Sequence, residues 1–225
     1  FPDKFSIEKG FFESYLDKMQ FQGYVAEGYF LDIGIPKDFK RAQYEIGVFP
    51  KIDSSWTLFL DRDGVINKKR DDDYVKSLDE LDLLPGAIEA ISDLSKIFKR
   101  VIIVTNQQGI GKKLMSEKSL VQIHKYICKQ DENIGGIIDA VYYAPHLVSE
   151  NSNMRKPEIG MALKAKDDFK EIDFSKSIMI GDSPSDMEFG RRARMISIKI
   201  DKNSANPEHN YSFNSLLDFS EVLKN

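Results

Sequence analysis

From residue 56 onward, short apolar runs alternate with longer amphipathic stretches. The short runs have the length and residue types of buried strands, predicted at Trp56–Leu60, Val101–Val104, Ile137–Tyr143, Ser177–Ile180 and Met195–Ile200. The stretches between and after them predict helices at Ala87–Phe98, Glu117–Gln130 with Ser116 as its cap, Pro157–Phe169, Asp186–Arg194 and Ser215–Leu223. Strands that alternate with helices indicate an α/β fold built on a doubly wound parallel sheet.

Residues 1–50 differ in character, because they hold twelve of the aromatic residues of a chain with 15 Phe, 9 Tyr and 1 Trp. A segment this short cannot bury so many rings within itself. Its pattern predicts a helix at Phe5–Met19, a hairpin-like pair at Tyr24–Ile33 and a helix at Asp38–Ile46. We expect an incomplete N-terminal appendage at residues 1–52 and a second domain at 53–225. The appendage must pack on that domain, on another chain or on a missing part of its own domain.

The composition of the 225 residues, 41% hydrophobic and 30% charged, is that of an ordinary globular protein. A net charge of −4 argues against a nucleic-acid-binding surface, so we expect no nucleic-acid partner. The single cysteine, Cys128, excludes an internal disulfide and a Cys-rich zinc site, and it fits a reducing compartment. With no apolar run near 18 residues and no signal peptide, we expect a cytoplasmic protein without a membrane partner.

Two aspartates, Asp61 and Asp63, end the first predicted strand, and Gly64 follows them directly. Carboxylates this close repel each other unless a cation lies between them. Mg²⁺ suits such a site because it is a hard ion that prefers oxygen ligands. A helix-loop-helix calcium site would need more oxygen ligands, and Val65 and Ile66 follow instead. A solvated turn remains the simple alternative for this motif taken alone.

Other polar residues stand at strand ends or before a helix: Thr105 and Asn106, Arg155 and Lys156, and Asp182. Each group alone has an ordinary explanation as a cap, a solvated loop or a turn. In parallel α/β sheets, however, ligands bind beyond the carboxyl ends of the strands. Together these groups meet the needs of phosphoryl transfer, which are a carboxylate nucleophile, a second carboxylate as acid and base, and donors around the phosphoryl oxygens.

The motifs in question are Asp61-Arg-Asp-Gly-Val-Ile-Asn67, Thr105-Asn-Gln-Gln-Gly-Ile-Gly111, Tyr142-Tyr-Ala-Pro-His146, Arg155-Lys-Pro and Gly181-Asp-Ser-Pro-Ser-Asp186. With them, residues 56–225 resemble the haloacid dehalogenase superfamily of phosphatases. They are most similar to the branch that contains the D-glycero-D-manno-heptose-1,7-bisphosphate 7-phosphatases and the histidinol-phosphate phosphatases.

The resemblance implies a catalytic role for several residues. Asp61 would be the nucleophile and Asp63 the general acid and base. Thr105 and Asn106 would hold the phosphoryl oxygens, and Lys156 would bridge these oxygens to Asp61.

The resemblance also implies a Mg²⁺ site. Its ligands would be Asp61, the backbone carbonyl of Asp63, and Asp182, with Asp186 supporting them from behind. Arg155 would contact a second phosphate or the hydroxyl groups of the substrate.

Three features qualify the resemblance. The branch usually holds zinc with Cys-Xaa-His and Cys-Xaa-Cys, whereas this chain has Ala144-Pro-His146 and no cysteine in residues 147–154, so we expect no structural zinc. Ser183 stands where the heptose enzymes often have Lys. The gaps between motifs are too short for a cap domain, so loops such as Lys68–Lys76 must set specificity. Arg62 could be structural, and we assign it no role.

The N-terminal part resembles the carboxyl-terminal piece of the sugar-1-phosphate nucleotidyltransferases, particularly the mannose- and heptose-1-phosphate guanylyltransferases. The matching residues are Phe5-Ser-Ile-Glu-Lys9 and Gly28-Tyr-Phe-Leu-Asp-Ile-Gly-Ile-Pro-Lys-Asp-Phe-Lys-Arg-Ala-Gln43. In that family the aspartate matching Asp32 approaches the metal-bound nucleotide. Nothing here corresponds to the family's Gly-rich nucleotide loop, so we expect this piece to be inert by itself.

These resemblances imply a Mg²⁺-dependent phosphatase that removes the 7-phosphate of a heptose 1,7-bisphosphate during the synthesis of a nucleotide-activated heptose such as GDP-heptose. A histidinol-phosphate phosphatase, or another small-molecule phosphomonoesterase, stays open as the alternative. A polynucleotide phosphatase is disfavoured by the acidic balance of the chain. A scaffold that binds sugar phosphate without catalysis is disfavoured because Asp61, Asp63, Lys156 and Asp182 are all present.

Overall fold

The computed structural model describes residues 50–70, 73–201 and 211–224, together with residues 15, 18 and 19. The chain divides into two compact units, Phe1–Ile46 and Gly47–Asn225. The helices and the hairpin predicted between residues 5 and 46 lie outside the described residues. Those elements, and the assignment of residues 1–52 to a transferase domain, therefore remain predictions.

Six parallel strands form one sheet in the order β3-β2-β1-β4-β5-β6. The strands are β1 (Thr57–Leu60), β2 (Arg100–Asn106), β3 (Ala140–Ala144), β4 (Ser177–Gly181), β5 (Ile196–Ile200) and β6 (Tyr211–Phe213). At the centre, Leu60 of β1 is level with Ile103 of β2 on one side and with Ile180 of β4 on the other. The strand order reverses between β1 and β4, and this creates a crevice beyond their carboxyl ends.

The α-helices of the described part of the chain are α1 (Ala87–Ser95), α2 (Gln108–Gly111), α3 (Glu117–Asn133), α4 (Gly160–Asp168), α5 (Pro184–Ala193) and α6 (Leu216–Lys224). Helix α1 packs against α3 and α6, whereas α4 and α5 cover the opposite face of the sheet. The predicted doubly wound α/β fold is therefore confirmed. None of the helices in the described ranges has the length and apolarity needed to cross a membrane.

The core explains why the strands are rigid. Leu58, Phe59 and Leu60 of β1 have no exposed surface, and successive side chains point to opposite faces of the sheet. Phe59 packs in a cluster with Val104 and Met179 of the neighbouring strands and with side chains of α4 and α5. Burying a large apolar side chain contributes roughly 1.5–3 kcal/mol, so the carboxyl ends of β1, β2 and β4 form a firm platform.

Two elements begin three residues later than predicted. Strand β3 begins at Ala140 rather than Ile137, because the chain turns at Gly135 (φ +85°) and leaves Ile137 64% exposed. Helix α4 begins at Gly160 rather than Pro157, since the preceding residues form a turn in which the Glu158 N–H donates to the Arg155 carbonyl oxygen at 2.8 Å.

Other elements were missed or confirmed. The short helix α2 and the three-residue strand β6 were not predicted, because neither is long enough to show a periodic pattern. The predicted cap of α3 is confirmed, since Ser116 Oγ accepts a hydrogen bond from the Ser119 N–H at 3.0 Å. Between β1 and β2 the described chain contains one 3₁₀ turn and α1, and no cap domain.

Candidate active site

An acidic cluster lies in the crevice beside the central strand. Asp61 directly follows β1, Asp182 directly follows β4, and Asp186 lies in the first turn of α5. One carboxylate oxygen of each lies within 4.8 Å of the others. Among the described residues, no other group of His, Cys, Asp or Glu side chains is arranged to hold a metal ion.

The chemistry of this cluster fits Mg²⁺. Carboxylate oxygens are the ligands that this ion prefers, and the Oδ1 atom of Asp182 is buried without a hydrogen-bond partner among the described residues. The backbone also makes room for Asp182, because a Cβ atom on Gly64 would lie 2.4 Å from its Oδ2 atom. Asp61, Asp182 and Asp186 could therefore hold the ion.

Lys156 joins the acidic cluster from the loop before α4. Its Nζ atom lies 2.8 Å from Asp61 Oδ1, 2.6 Å from Asp186 Oδ1 and 2.8 Å from the Val104 carbonyl oxygen. Three partners satisfy the three donors of an ammonium group. Burial alone would lower the pKa of Lys156, but the charges of Asp186 and Asp61 outweigh it and raise the pKa.

Asp61 is buried among other carboxylates, which favour its protonated form. Burial and the Asp186 carboxylate raise its pKa to about 7, against the opposing effect of Lys156. A divalent cation next to these carboxylates would favour the ionised form of Asp61, because an opposite charge at short range lowers the pKa of an acid. The site is therefore suited to receive a divalent cation.

Thr105 and Asn106 end β2 and face the same crevice. The Thr105 hydroxyl group accepts a hydrogen bond from Gln107 Nε2 at 2.9 Å. The Asn106 side chain donates to the Lys156 carbonyl oxygen at 3.1 Å and accepts from the Lys156 N–H at 2.9 Å. Its amide group thus fixes the loop that carries Lys156.

Cations line the mouth of the site, a cavity of about 220 Å³. Arg155, Lys69 and Arg70 are among its lining residues. The Nη1 atom of Arg155 is buried and has no hydrogen-bond partner within the described ranges. Lys69 Nζ lies 2.8 Å from Asp182 Oδ2. Ser183, in contrast, donates through its hydroxyl group to Asp186 Oδ2 at 2.5 Å, so it supports the acidic cluster.

Comparisons with known proteins identify the family of this chain. The family model for polynucleotide kinase 3 phosphatase matches residues 52–220. A D-glycero-alpha-D-manno-heptose-1,7-bisphosphate 7-phosphatase of Mycobacterium tuberculosis is 35% identical over 173 residues, which cover 75% of this chain and 91% of that protein. A D-glycero-beta-D-manno-heptose-1,7-bisphosphate 7-phosphatase of Neisseria meningitidis is 34% identical, covering 74% of this chain and 93% of that protein.

This chain is a haloacid dehalogenase-like phosphatase of the heptose-bisphosphate 7-phosphatase family. A solved structure supports the assignment: the D,D-heptose 1,7-bisphosphate phosphatase from B. bronchiseptica, complexed with magnesium and phosphate, superimposes with a TM-score of 0.68 at 28% identity. The match covers 75% of this chain and 98% of that one. The predicted family and the predicted enzyme class, a phosphoric monoester hydrolase, are thus confirmed.

The structure also shows what sequence reasoning missed in this phosphatase. Asp63 is surrounded by side-chain donors from Arg62, Asn67 and Gln107. Burial raises the pKa of Asp63, but the Arg62 charge and these hydrogen bonds outweigh it and bring the pKa below its usual value. All three partners lie inside or next to the quoted motifs, yet the sequence does not show which polar residues of a motif point inward.

Proposed function

We propose that this phosphatase hydrolyses the 7-phosphate of D-glycero-D-manno-heptose 1,7-bisphosphate with the help of Mg²⁺. The observation that carries the chemistry is the Asp61 carboxylate, which borders both the acidic cluster and the Lys156 ammonium group. The substrate is inferred from the names of the relatives, which cover both anomers.

The reaction proceeds in two steps. Asp61 attacks phosphorus, an aspartyl phosphate forms as the bond to the sugar oxygen breaks, and that oxygen receives a proton from Asp63, which must first take one up from solvent because its pKa is low. Water then attacks the same phosphorus, its proton passes to Asp63, and Asp61 is released together with inorganic phosphate. Splitting the hydrolysis in this way replaces one difficult step with two easier ones.

Several groups stabilise the phosphoryl oxygens. The Thr105 hydroxyl group and the Lys156 ammonium group contact them, and Asn106 contributes by holding the Lys156 loop in place. Asp61, the Asp63 carbonyl and Asp182, with the support of Asp186, would hold Mg²⁺, which would offset the charge of carboxylate and phosphate.

A bisphosphate suits the charge of the mouth. The terminal phosphate enters the small cavity, while the rest of the sugar remains near Arg155, Lys69 and Arg70. The unpartnered guanidinium nitrogen of Arg155 is the natural donor to a second phosphate, since Arg binds phosphate through paired N–H groups.

The test is phosphate release from both anomers of heptose 1,7-bisphosphate, from histidinol phosphate, from generic phosphomonoesters and from a DNA 3′-phosphate. We expect one heptose anomer to be preferred over the generic esters by about 100-fold in kcat/KM, with heptose 1-phosphate as the product. Comparable rates on unrelated esters would defeat the heptose assignment. A preference for the DNA end would favour the function named by the matched family model.

The nucleophile has its own test. Asp61→Asn should lower turnover by at least about 1000-fold, because an amide cannot form the aspartyl phosphate. Circular dichroism and the thermal midpoint should remain close to those of the parent protein. Unchanged activity in this variant would remove Asp61 from its role.

We further propose that residues 1–52 are the carboxyl-terminal piece of a guanylyltransferase. That transferase would use the heptose 1-phosphate that the phosphatase domain produces in the cytoplasm. Support comes from the sequence resemblance alone. Incubated with GTP and heptose 1-phosphate, residues 1–225 should form no GDP-sugar, because they lack the nucleotide loop of that family. Formation of GDP-heptose by these residues would contradict the inert role assigned to the piece.

A further inference from the structure

Arg62 is a fully buried cation inside the active site. It is the largest side chain in the described part of the chain with no exposed surface. A guanidinium group in such a place is destabilising unless it is paired and hydrogen-bonded. Its partner is Asp63, since Nη2 donates to both carboxylate oxygens at 2.8 Å and Nε donates to Oδ1 at 3.3 Å. On the far side, Arg62 Nη1 lies 3.5 Å from His124 Nε2.

Gln107 and Asn67 complete the surroundings of Asp63. Gln107, also fully buried, donates through Nε2 to Asp63 Oδ2 at 2.8 Å and accepts from Arg62 Nη2 at 3.3 Å. Asn67 donates through Nδ2 to Asp63 Oδ1 at 2.9 Å. Each carboxylate oxygen therefore receives donors from two different side chains, and rotation of the carboxylate would break several hydrogen bonds at once.

We propose that Arg62 and Gln107 are positioning residues, which hold the Asp63 carboxylate in the orientation needed for proton exchange with the leaving group and the attacking water. Neither side chain has exposed surface from which to touch a substrate, whereas the Asp63 side chain remains 23% exposed toward the cavity. Gln107 Nε2 also donates to the Thr105 hydroxyl group at 2.9 Å, but the role proposed for both residues is exerted through Asp63, so the inference rests on the acid–base role proposed for it.

A positioning role makes a specific demand on the leaving group. A sugar alkoxide is strongly basic and needs a proton as it departs, whereas p-nitrophenolate leaves without one. Misplacing Asp63 should therefore slow the first step with a sugar phosphate and leave it nearly unchanged with p-nitrophenyl phosphate. A defect in packing that disturbed Asp61 or the metal site would slow both substrates alike.

The experiment is single-turnover release of the leaving group by the Mg²⁺-loaded enzyme, with Gln107→Leu, Arg62→Lys and Asp63→Asn. For the sugar phosphate we expect a loss of about 100-fold in each variant. For p-nitrophenyl phosphate the loss should stay under about threefold. With that substrate in excess over the enzyme, a burst of p-nitrophenolate should precede slow turnover, because the second step still needs Asp63 as a base. Gln107→Leu keeps the test valid if the buried Arg62→Lys variant does not fold.

Two further variants sharpen the result. Gln108→Leu makes the same chemical change one residue along, where the side chain contacts the Tyr74 hydroxyl group instead, and should leave both rates within twofold of the parent. The double variant Asp63→Asn with Gln107→Leu should be no slower than Asp63→Asn alone, because residues that act as a unit are not additive.

The outcomes separate the two hypotheses. Equal losses on both substrates, or an unchanged sugar-phosphate rate in Gln107→Leu, would overturn the positioning role. If Asp63→Asn itself shows no dependence on the leaving group, the acid–base role of Asp63 fails, and the positioning role falls with it.

Discussion

At the scale of single residues, the site holds more negative than positive charge until a metal ion arrives. Asp61, Asp182 and Asp186 are neighbours, and the ammonium groups of Lys156 and Lys69 lie among them. The two lysines differ in freedom, since the Lys156 side chain is 1% exposed and that of Lys69 is 48% exposed. Lys69 is thus the cation that can move when Asp182 takes another partner.

Lys69 should compete with the metal ion for Asp182. Replacing it in Lys69→Met removes a positive charge 2.8 Å from a proposed ligand atom, so Mg²⁺ should bind a few-fold more tightly, since one exposed ion pair contributes about 0–1 kcal/mol. Titration calorimetry with Mg²⁺ alone measures this directly. Lys68→Met is the matched control, because Lys68 pairs with Asp82 instead. Weaker Mg²⁺ binding in Lys69→Met would show that the lysine supports the metal site.

Asp131 is far from the acidic cluster along the chain, and its surroundings disfavour a negative charge. Both of its carboxylate oxygens are buried without a hydrogen-bond partner among the described residues, and it lies in the last turn of α3, where a negative charge opposes the helix dipole. Burial raises its pKa from 3.8 to about 6. The folded state therefore holds this proton more tightly than the unfolded state, and stability should fall as the pH rises from about 4 to about 6.

Asp131→Asn should remove that penalty. The variant should gain about 1–2 kcal/mol of unfolding free energy at pH 7.5 and show little change near pH 4, where the native carboxyl group is already protonated. Urea denaturation at both pH values tests the sign. Glu132→Gln changes an exposed neighbour on the same helix, whose ion pair with Lys129 contributes little. A gain of equal size at both pH values would show that charge is not the cause.

At the scale of elements, much of the fold could be predicted because buried strands and amphipathic helices leave periodic patterns. The parallel arrangement then brings the ends of β1 and β4 together, which is why Asp61 and Asp182 could be expected to meet. Arg62 could not be interpreted in the same way. A charged residue between two aspartates is typical of a solvated turn, and only the packed structure shows that it points inward. The start of β3 was equally hidden, since Ile137 is apolar but exposed.

The turn after β1 requires glycine for two reasons. Gly64 has φ +90°, which side chains rarely adopt, and an added Cβ would collide with Asp182. Gly64→Ala should therefore cost about 1–3 kcal/mol of stability and weaken Mg²⁺ binding as well. Denaturant midpoints and calorimetry measure the two effects separately.

Gly135→Ala is the matched control for that turn. Gly135 has a similar backbone angle, φ +85°, but no atom lies within 4 Å of an added Cβ. This variant should lose stability through backbone strain and bind Mg²⁺ normally. Equal Mg²⁺ affinity in the two variants would show that contact with Asp182 is unimportant.

At the scale of the whole described domain, the residues proposed for the chemistry and those proposed for selectivity lie on different parts of the fold. Asp61, Thr105 and Asp182 stand at strand ends fixed by a dry core, while Lys69, Arg70 and Arg155 lie on connecting segments. Loops tolerate substitution better than core strands do. The names of two relatives, which give different anomers of the sugar, illustrate such a difference in preference.

The lack of a cap between β1 and β2 in the described chain has a kinetic consequence. In many enzymes the closing and reopening of a lid over the active site is the slowest step and limits kcat. Here the substrate and the product pass only between loops, so no lid motion should limit turnover. We expect kcat to stay constant when glycerol or sucrose raises the viscosity of the solution. If kcat declined steadily with viscosity while the fold stayed unchanged, a slow conformational change would limit turnover, and the prediction for this uncapped site would be wrong.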